Sequence, residues 1–130
     1  MLVDSDVLIW HLRGLPRATQ RLDLLPQLRI SAISYLEILQ GMRSRAELMA
    51  VQKSLAMRHT ERLPITPQIT DHVTDLMERL SLSHGLGMGD APIAATALES
   101  RLVLITANIK HFGAVAGLQI ERFDPDDDVQ

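Results

Sequence analysis

Four acidic residues fall where the pattern of this chain changes from an apolar run to a helical one. Asp4 follows the short apolar opening, and Asp6 stands directly before Val7. Glu37 comes soon after the apolar segment 28–33, and Asp90 closes a loop carrying Gly85, Gly87 and Gly89. Carboxylates brought together repel, so such a cluster persists only where protons or divalent cations neutralise it. Oxygen-only ligation with open positions suits Mg²⁺ or Mn²⁺ rather than zinc. The chain has no cysteine, which excludes thiolate zinc sites, iron–sulfur ligation and cysteine nucleophiles together. Its histidines, His11, His59, His72, His84 and His111, show no metal-ligand spacing.

Each acid also has a structural reading. Asp6 reads as the N-cap of a helix starting at Val7, Glu37 as the partner of Ser34 in a capping box, and Asp90 as the N-cap of a helix over 91–101. Asp4, between strand and cap, is needed by neither element and is the strongest single candidate for chemistry.

The elements that must position these acids are legible as an alternation. Short β-like runs at 1–3, 28–33, 63–65, 102–105 and 118–123 are separated by longer helical patterns. Parallel strands joined by crossover helices produce that alternation. Ser44 with Glu47 forms a second capping box ahead of a Leu48, Val51, Leu55 stripe, and Thr66-Pro67 starts a helix whose apolar face is Ile69, Val73, Leu76, Met77 and Leu80. Arg13, Arg17 and Arg21 share helical spacing and read as a solvated face. Where strands end at one edge of a parallel sheet, ligands bind. Asp4, Glu37 and Asp90, far apart in sequence, are therefore expected to converge there. The expectation is an α/β chain of three layers, α/β/α, around a mostly parallel sheet of four to five short strands, with one domain over 1–123 and a polar tail over 124–130.

Composition sets the outer bounds. At 130 residues, 46% of them apolar and 3% aromatic, the chain is one domain with an aliphatic core and few stacking platforms for bases. No apolar run is long enough to span a membrane, and Asp4 and Asp6 stand where a signal peptide needs basic and then apolar residues, so a cytoplasmic chain without membrane contact is expected. Thirteen basic against 16 acidic residues give −3, which argues against a generic basic wrapper of nucleic acid. Setting aside Asp124, Asp126, Asp127 and Asp128 of the tail leaves 13 against 12, and setting aside Asp4, Asp6, Glu37 and Asp90 as well leaves 13 against 8, a formal +5.

Four segments in order, Leu2-Val3-Asp4-Ser5-Asp6-Val7-Leu8-Ile9, Ser31-Ala32-Ile33-Ser34-Tyr35-Leu36-Glu37-Ile38-Leu39-Gln40-Gly41, Asp90-Ala91-Pro92-Ile93-Ala94-Ala95-Thr96-Ala97 and Leu104-Ile105-Thr106-Ala107-Asn108-Ile109-Lys110-His111-Phe112, resemble the PIN-domain nucleases, and among them the VapC-type toxins of prokaryotic toxin–antitoxin pairs. The resemblance covers nearly the whole chain. It implies an endoribonuclease that hydrolyses RNA phosphodiesters with Mg²⁺- or Mn²⁺-activated water. It places Asp4, Glu37 and Asp90 as catalytic metal ligands, with Ser5, Asp6, Thr106 and Asn108 in support. It also implies a small VapB-like antitoxin seated in a groove beside the site, which the Leu48, Val51, Leu55 stripe with Met42, Met49 and Met57 would suit, and a homodimer. The fourth acid of many relatives is absent: Asn108 and His111 occupy that region. That absence keeps open a catalytically degenerate binding module on the same scaffold. Asp4-Ser5-Asp6 also fits the D-x-D start of haloacid-dehalogenase-type phosphatases, but that family places its Thr/Ser motif before its Gly-Asp motif, and here Thr106 follows Asp90.

Overall fold

The alternation resolves, in a computed structural model describing residues 1–126, into five strands and seven helices among those residues. β1 (Leu2–Val3) leads into α1 (Ser5–Leu12) and α2 (Pro16–Asp23), and β2 (Arg29–Ser31) into α3 (Ala32–Gln40) and α4 (Arg45–Met57). β3 (Glu61–Leu63) leads into α5 (Pro67–His84) and α6 (Asp90–Ser100), and β4 (Leu104–Thr106) into α7 (Ile109–Phe112) and β5 (Ile120–Arg122). Asp127 and Asp128 of the expected tail lie outside the described residues.

Every strand pairing is parallel: β1 with β4, β4 with β5 and β2 with β3. β2 packs beside β1 without a hydrogen-bonded ladder between them, so the strands lie in the order β3-β2-β1-β4-β5. The expected sheet is thus two ladders, of three and two strands, lying side by side. The break falls at β1 because the strand is so short. Its flanking amides, Leu2 N and Asp4 N, both donate to β4, at Val103 O and Ile105 O, and alternation leaves only Val3 directed toward β2.

Strand alternation then sorts the core into two. Leu2 faces Leu104 and Val3 faces Ile105 across the β1–β4 ladder. Leu2 and Leu104 pack with Ile69, Leu76, Ile93 and Phe112, whereas Val3 and Ile105 pack with Val7, Leu22, Ile38 and Val51. Helices α5 to α7 therefore cover one face and α1 to α4 the other, giving the three layers. Each such fully buried aliphatic side chain contributes about 2 kcal/mol. Along α6, residues 91–97 are all buried. Its run of alanines lets it lie close against α5 and the sheet, and the Thr96 hydroxyl is satisfied by donating to Pro92 O at 2.7 Å.

Several local expectations need correcting. Asp4, not Asp6, is the N-cap of α1, so the helix begins at Ser5 as soon as the strand ends. Ser31, not Ser34, caps α3: its Oγ accepts from Ser34 N, and Glu37 lies a turn too far along for a capping box. Asp90 is the first residue of α6, with Gly89 at the cap position and no side-chain cap. Ser44 and Thr66 do cap α4 and α5 as their spacing predicts. β3 sits two residues earlier than the expected 63–65, because its register pairs Leu63 with Ser31. Arg17 and Arg21 do not form a solvated face. The Arg17 guanidinium lies 5.6 Å from the centre of the Phe123 ring, and Arg21 grips Glu121 of β5 through two bonds of 2.6 and 2.9 Å. No helix among the described residues is long and apolar enough to cross a membrane.

Candidate metal-binding active site

The strand order fixes where a ligand can sit. From β1 the chain moves to β2 on one side, and after β3 it returns to β4 on the other, so β1 is the point at which the connections diverge. At such a switch point the chain leaves a crevice outside the carboxyl ends of the strands. Asp4 is the residue at the end of β1. The helix α3 starts directly from β2 and carries Glu37 in its second turn. The crossover helix α6 runs against the strands it connects, so its first residue, Asp90, returns to the same edge.

Ser5 ties two of these acids together. Its Oγ lies 3.2 Å from Glu37 Oε1 and 3.4 Å from Asp4 Oδ1, so one hydroxyl proton is shared between two carboxylates far apart in sequence. Asp4 is 4% exposed. Its Oδ1 accepts from Ser5 N at 2.8 Å and its Oδ2 from Thr106 Oγ1 at 2.7 Å. A carboxylate oxygen has two acceptor directions, so Oδ2 keeps one for a ligand, while Oδ1 faces both the N–H and the hydroxyl of Ser5.

Asp6 is used differently. Its Oδ1 accepts from Val7 N at 2.7 Å, and its Oδ2 from Ala107 N at 3.0 Å and Asn108 Nδ2 at 3.2 Å, with Thr106 Oγ1 at 3.4 Å. Those donors fill Oδ2 and leave Oδ1 on the start of α1. Asp6 therefore fastens the turn after β4 to the start of α1, and it holds Thr106 where that hydroxyl reaches Asp4. Asn108 closes the turn by donating its own N–H to Thr106 Oγ1 at 3.0 Å.

The electrostatics show the acids acting on one another. Burial raises the Asp4 carboxyl above the ordinary carboxylate value, and the charge of Asp90 adds to the rise, against the bonds from Thr106 and Ser5. Glu37 is raised by burial first and then by Asp4 and Asp90, against its bond from Ser5. Asp6 is pushed up to about 6 by burial and by Asp4. Among the described residues the one basic group within ion-pair distance of these four acids is His111, whose Nδ1 lies 3.4 Å from Asp90 Oδ1. No three acidic or histidine side chains among the described residues are gathered tightly enough to ligate one ion together. That arrangement fits a hydrated Mg²⁺ or Mn²⁺, which takes one or two carboxylates directly and keeps several waters that other oxygens can receive. The donor set is oxygen throughout apart from His111, and the charge is uncompensated, as a divalent cation requires.

The structure thus brings Asp4, Ser5, Asp6, Glu37, Asp90, Thr106 and Asn108 to one edge. His111 is the residue that histidine spacing did not reveal. The signal was available in its three-residue separation from Asn108, which one turn of α7 converts into proximity, His111 N bonding Asn108 O at 3.1 Å.

Beside the site a groove of about 650 Å³ runs between α1, α3 and α4, reached by Glu37 and lined by Ile9, Met42, Val51, Arg13 and Arg43. Only part of the expected apolar stripe faces it: Leu55 is buried in the core, and Met49 and Met57 are exposed at 58% and 72% outside its lining.

Comparison with known proteins agrees with this geometry. The sequence matches the PIN domain family over residues 1–118. It is 42% identical over 116 residues to Ribonuclease VapC10 of Mycobacterium tuberculosis, covering 86% of this chain and 85% of that protein. Its fold superposes on a toxin–antitoxin complex from Klebsiella pneumoniae with a TM-score of 0.76 at 29% identity, covering 95% and 96% of the two chains. The DNA-bound VapBC of Salmonella typhimurium gives 0.80 at 26% identity over 93% and 96%.

Proposed function

The chain belongs to the PIN-domain family, and on that premise we propose that it is a divalent-metal-dependent endoribonuclease, the toxin of a VapBC-type pair, acting in the cytoplasm through the unit formed by residues 1–123. One observation carries the reading: three carboxylates from three separate elements, Asp4, Glu37 and Asp90, meet at the switch point of a parallel sheet, close enough that the charge of Asp90 raises the proton affinity of both Asp4 and Glu37. Such an arrangement costs stability unless a cation occupies it.

Asp4, Glu37 and Asp90 are the residues that would hold Mg²⁺ or Mn²⁺. When bound, the ion neutralises the clustered charge, polarises a phosphoryl oxygen and makes water a stronger acid. The chain's own residues supply the rest. Thr106 and Ser5 orient Asp4 from either oxygen, Ser5 draws Glu37 toward it, and Asp6 with Asn108 keeps Thr106 in place. The phosphodiester of an RNA strand would lie over this edge.

For a partner we infer a small VapB-like antitoxin whose C-terminal segment occupies the groove between α1, α3 and α4, setting a basic side chain against the acids, and we infer a homodimer. The solved relatives reported above, themselves toxin–antitoxin complexes, support the partner.

The test uses purified protein and a labelled RNA. Cleavage should require added Mg²⁺ or Mn²⁺, stop with chelator, and vanish in Asp4→Asn and Asp90→Asn. The asparagine keeps the cap that Asp4 provides to α1, since Asn and Asp cap a helix about equally, so loss of activity without loss of fold isolates the carboxylate. Full activity in Asp4→Asn sinks the assignment. Absence of Mn²⁺ binding by the wild type favours instead a binding module that has lost its chemistry.

A further inference from the structure

Three glycines stand in the loop that delivers Asp90, and they answer to different constraints. Gly85 ends α5 with φ 68°, a left-handed conformation that favours glycine. A Cβ at Gly87 would meet Asp90 Oδ2 at 3.6 Å, an ordinary contact. Gly89 is the unexplained one. Its φ of −75° and ψ of −36° are right-handed helical and open to any L residue, and it caps α6 with no side chain. Yet a Cβ there would lie 3.2 Å from Glu37 Oε2, inside normal contact distance. The bare Cα of Gly89 therefore answers to Glu37 and to nothing in its own backbone.

We propose that Gly89 is a positioning residue of the active site: by presenting no side chain, it lets the Glu37 carboxylate lie over the start of α6, beside Asp90, so that elements α3 and α6 serve one cation. The inference rests on the divalent-metal reading of the site. Glu37 has little freedom to retreat from a methyl group, because its other oxygen is held by Ser5 at 3.2 Å. Relieving the contact swings Oε2 away from α6 or breaks that bond, and either motion pulls the carboxylate out of the cluster.

Four variants, Gly89→Ala, Gly87→Ala, Glu37→Asp and the double variant Glu37→Asp with Gly89→Ala, decide the matter beside the wild type. Mn²⁺ binding is measured by titration calorimetry and folding by thermal melts. Gly89→Ala should remain folded, since its backbone angles are open to alanine and the poorer helix cap is offset by the smaller freedom of the unfolded chain, while binding Mn²⁺ about ten- to a hundredfold more weakly, the usual effect of disturbing a group that orients a ligand. Gly87→Ala should bind as the wild type does. Glu37→Asp withdraws the carboxylate by one methylene and loses affinity on its own. Adding Gly89→Ala to it should then cost nothing further, a non-additivity expected only of residues in contact. Wild-type affinity in Gly89→Ala or a full additive loss in the double variant overturns the proposal. A wild type that binds no Mn²⁺ overturns instead the functional reading beneath it.

Discussion

At the scale of single residues the acids divide by what their oxygens already do. Asp4 and Glu37 face each other across Ser5, whereas Asp6 has spent its Oδ2 on the turn after β4 and turns its Oδ1 to the start of α1. Asp6 therefore reports on folding more cleanly than the others. Its carboxyl rises from an ordinary 3.8 to about 6 through burial and the charge of Asp4. A folded-state value above the unfolded one means stability that is fully present below 3.8 and lost as pH rises through about 6, because the folded protein must then carry a charge its surroundings disfavour. Asp4 and Glu37 are raised in the same direction. Asparagine does not titrate. Melting curves in chelator should thus show wild-type stability falling relative to Asp6→Asn across that interval, and the difference levelling off above it. A difference independent of pH would refute the assignment. Any constant offset, from the bonds asparagine cannot replace, leaves the pH dependence intact.

At the scale of elements, α3 places Glu37, and Ser31 places α3. The Ser31 side chain is fully buried, and its Oγ accepts from Ser34 N at 2.9 Å while donating to Ser34 Oγ at 3.2 Å. Ser31→Ala should lower stability by about 1 kcal/mol in a urea titration, the usual cost of an N-cap, and should weaken RNA cleavage because the frayed turn lies beneath Glu37. Unchanged stability would show that the cap is dispensable. The same helix shows what could be read from the sequence. Ser31 and Ser34 both stand three residues before a group that suits a cap, and the capping pattern at Ser34 with Glu37 is the more usual one. What decides is where β2 ends, and that is set by pairing with β3, a contact between residues 32 apart. Its place after a strand marks Asp4 as a site residue, yet Asp4 is also the cap of α1, since that helix starts two residues sooner than Val7 suggests. The alternation of elements, the parallel sheet, the caps at Ser44 and Thr66 and the convergence of three acids follow from local pattern. The break between β1 and β2, the clamp of Arg21 on Glu121 and the approach of His111 to Asp90 depend on distant partners that a single chain does not display.

At the scale of the whole molecule, the question is how a chain of formal charge −3 holds a polyanion. On the proposed reading the acids of the site are a pit that a cation would neutralise, and basic residues flank it on two sides. Arg13 and Arg43 line the groove that Glu37 reaches, and exposed Lys110 stands on α7 beside His111, which faces Asp90. A single strand crossing the site would therefore meet few cations, and those only at the rim. For single-stranded nucleic acid each neutralised phosphate contributes about −0.7 to the slope of log affinity against log salt. Contacts with two to four phosphates give a slope of about −1.4 to −2.8 for kcat/KM at a fixed concentration of divalent ion, far shallower than for a basic wrapper of nucleic acid. Lys110→Gln should make that slope less negative by about 0.7 while leaving the rate at low salt metal-dependent. A lysine meets phosphate as a point charge, so the loss should be the same for RNAs of different sequence. A rate indifferent to salt would remove the rim from the argument. A slope several times steeper would mean that the strand follows a longer basic path than these flanks provide, one to which a partner or a second copy of the chain contributes.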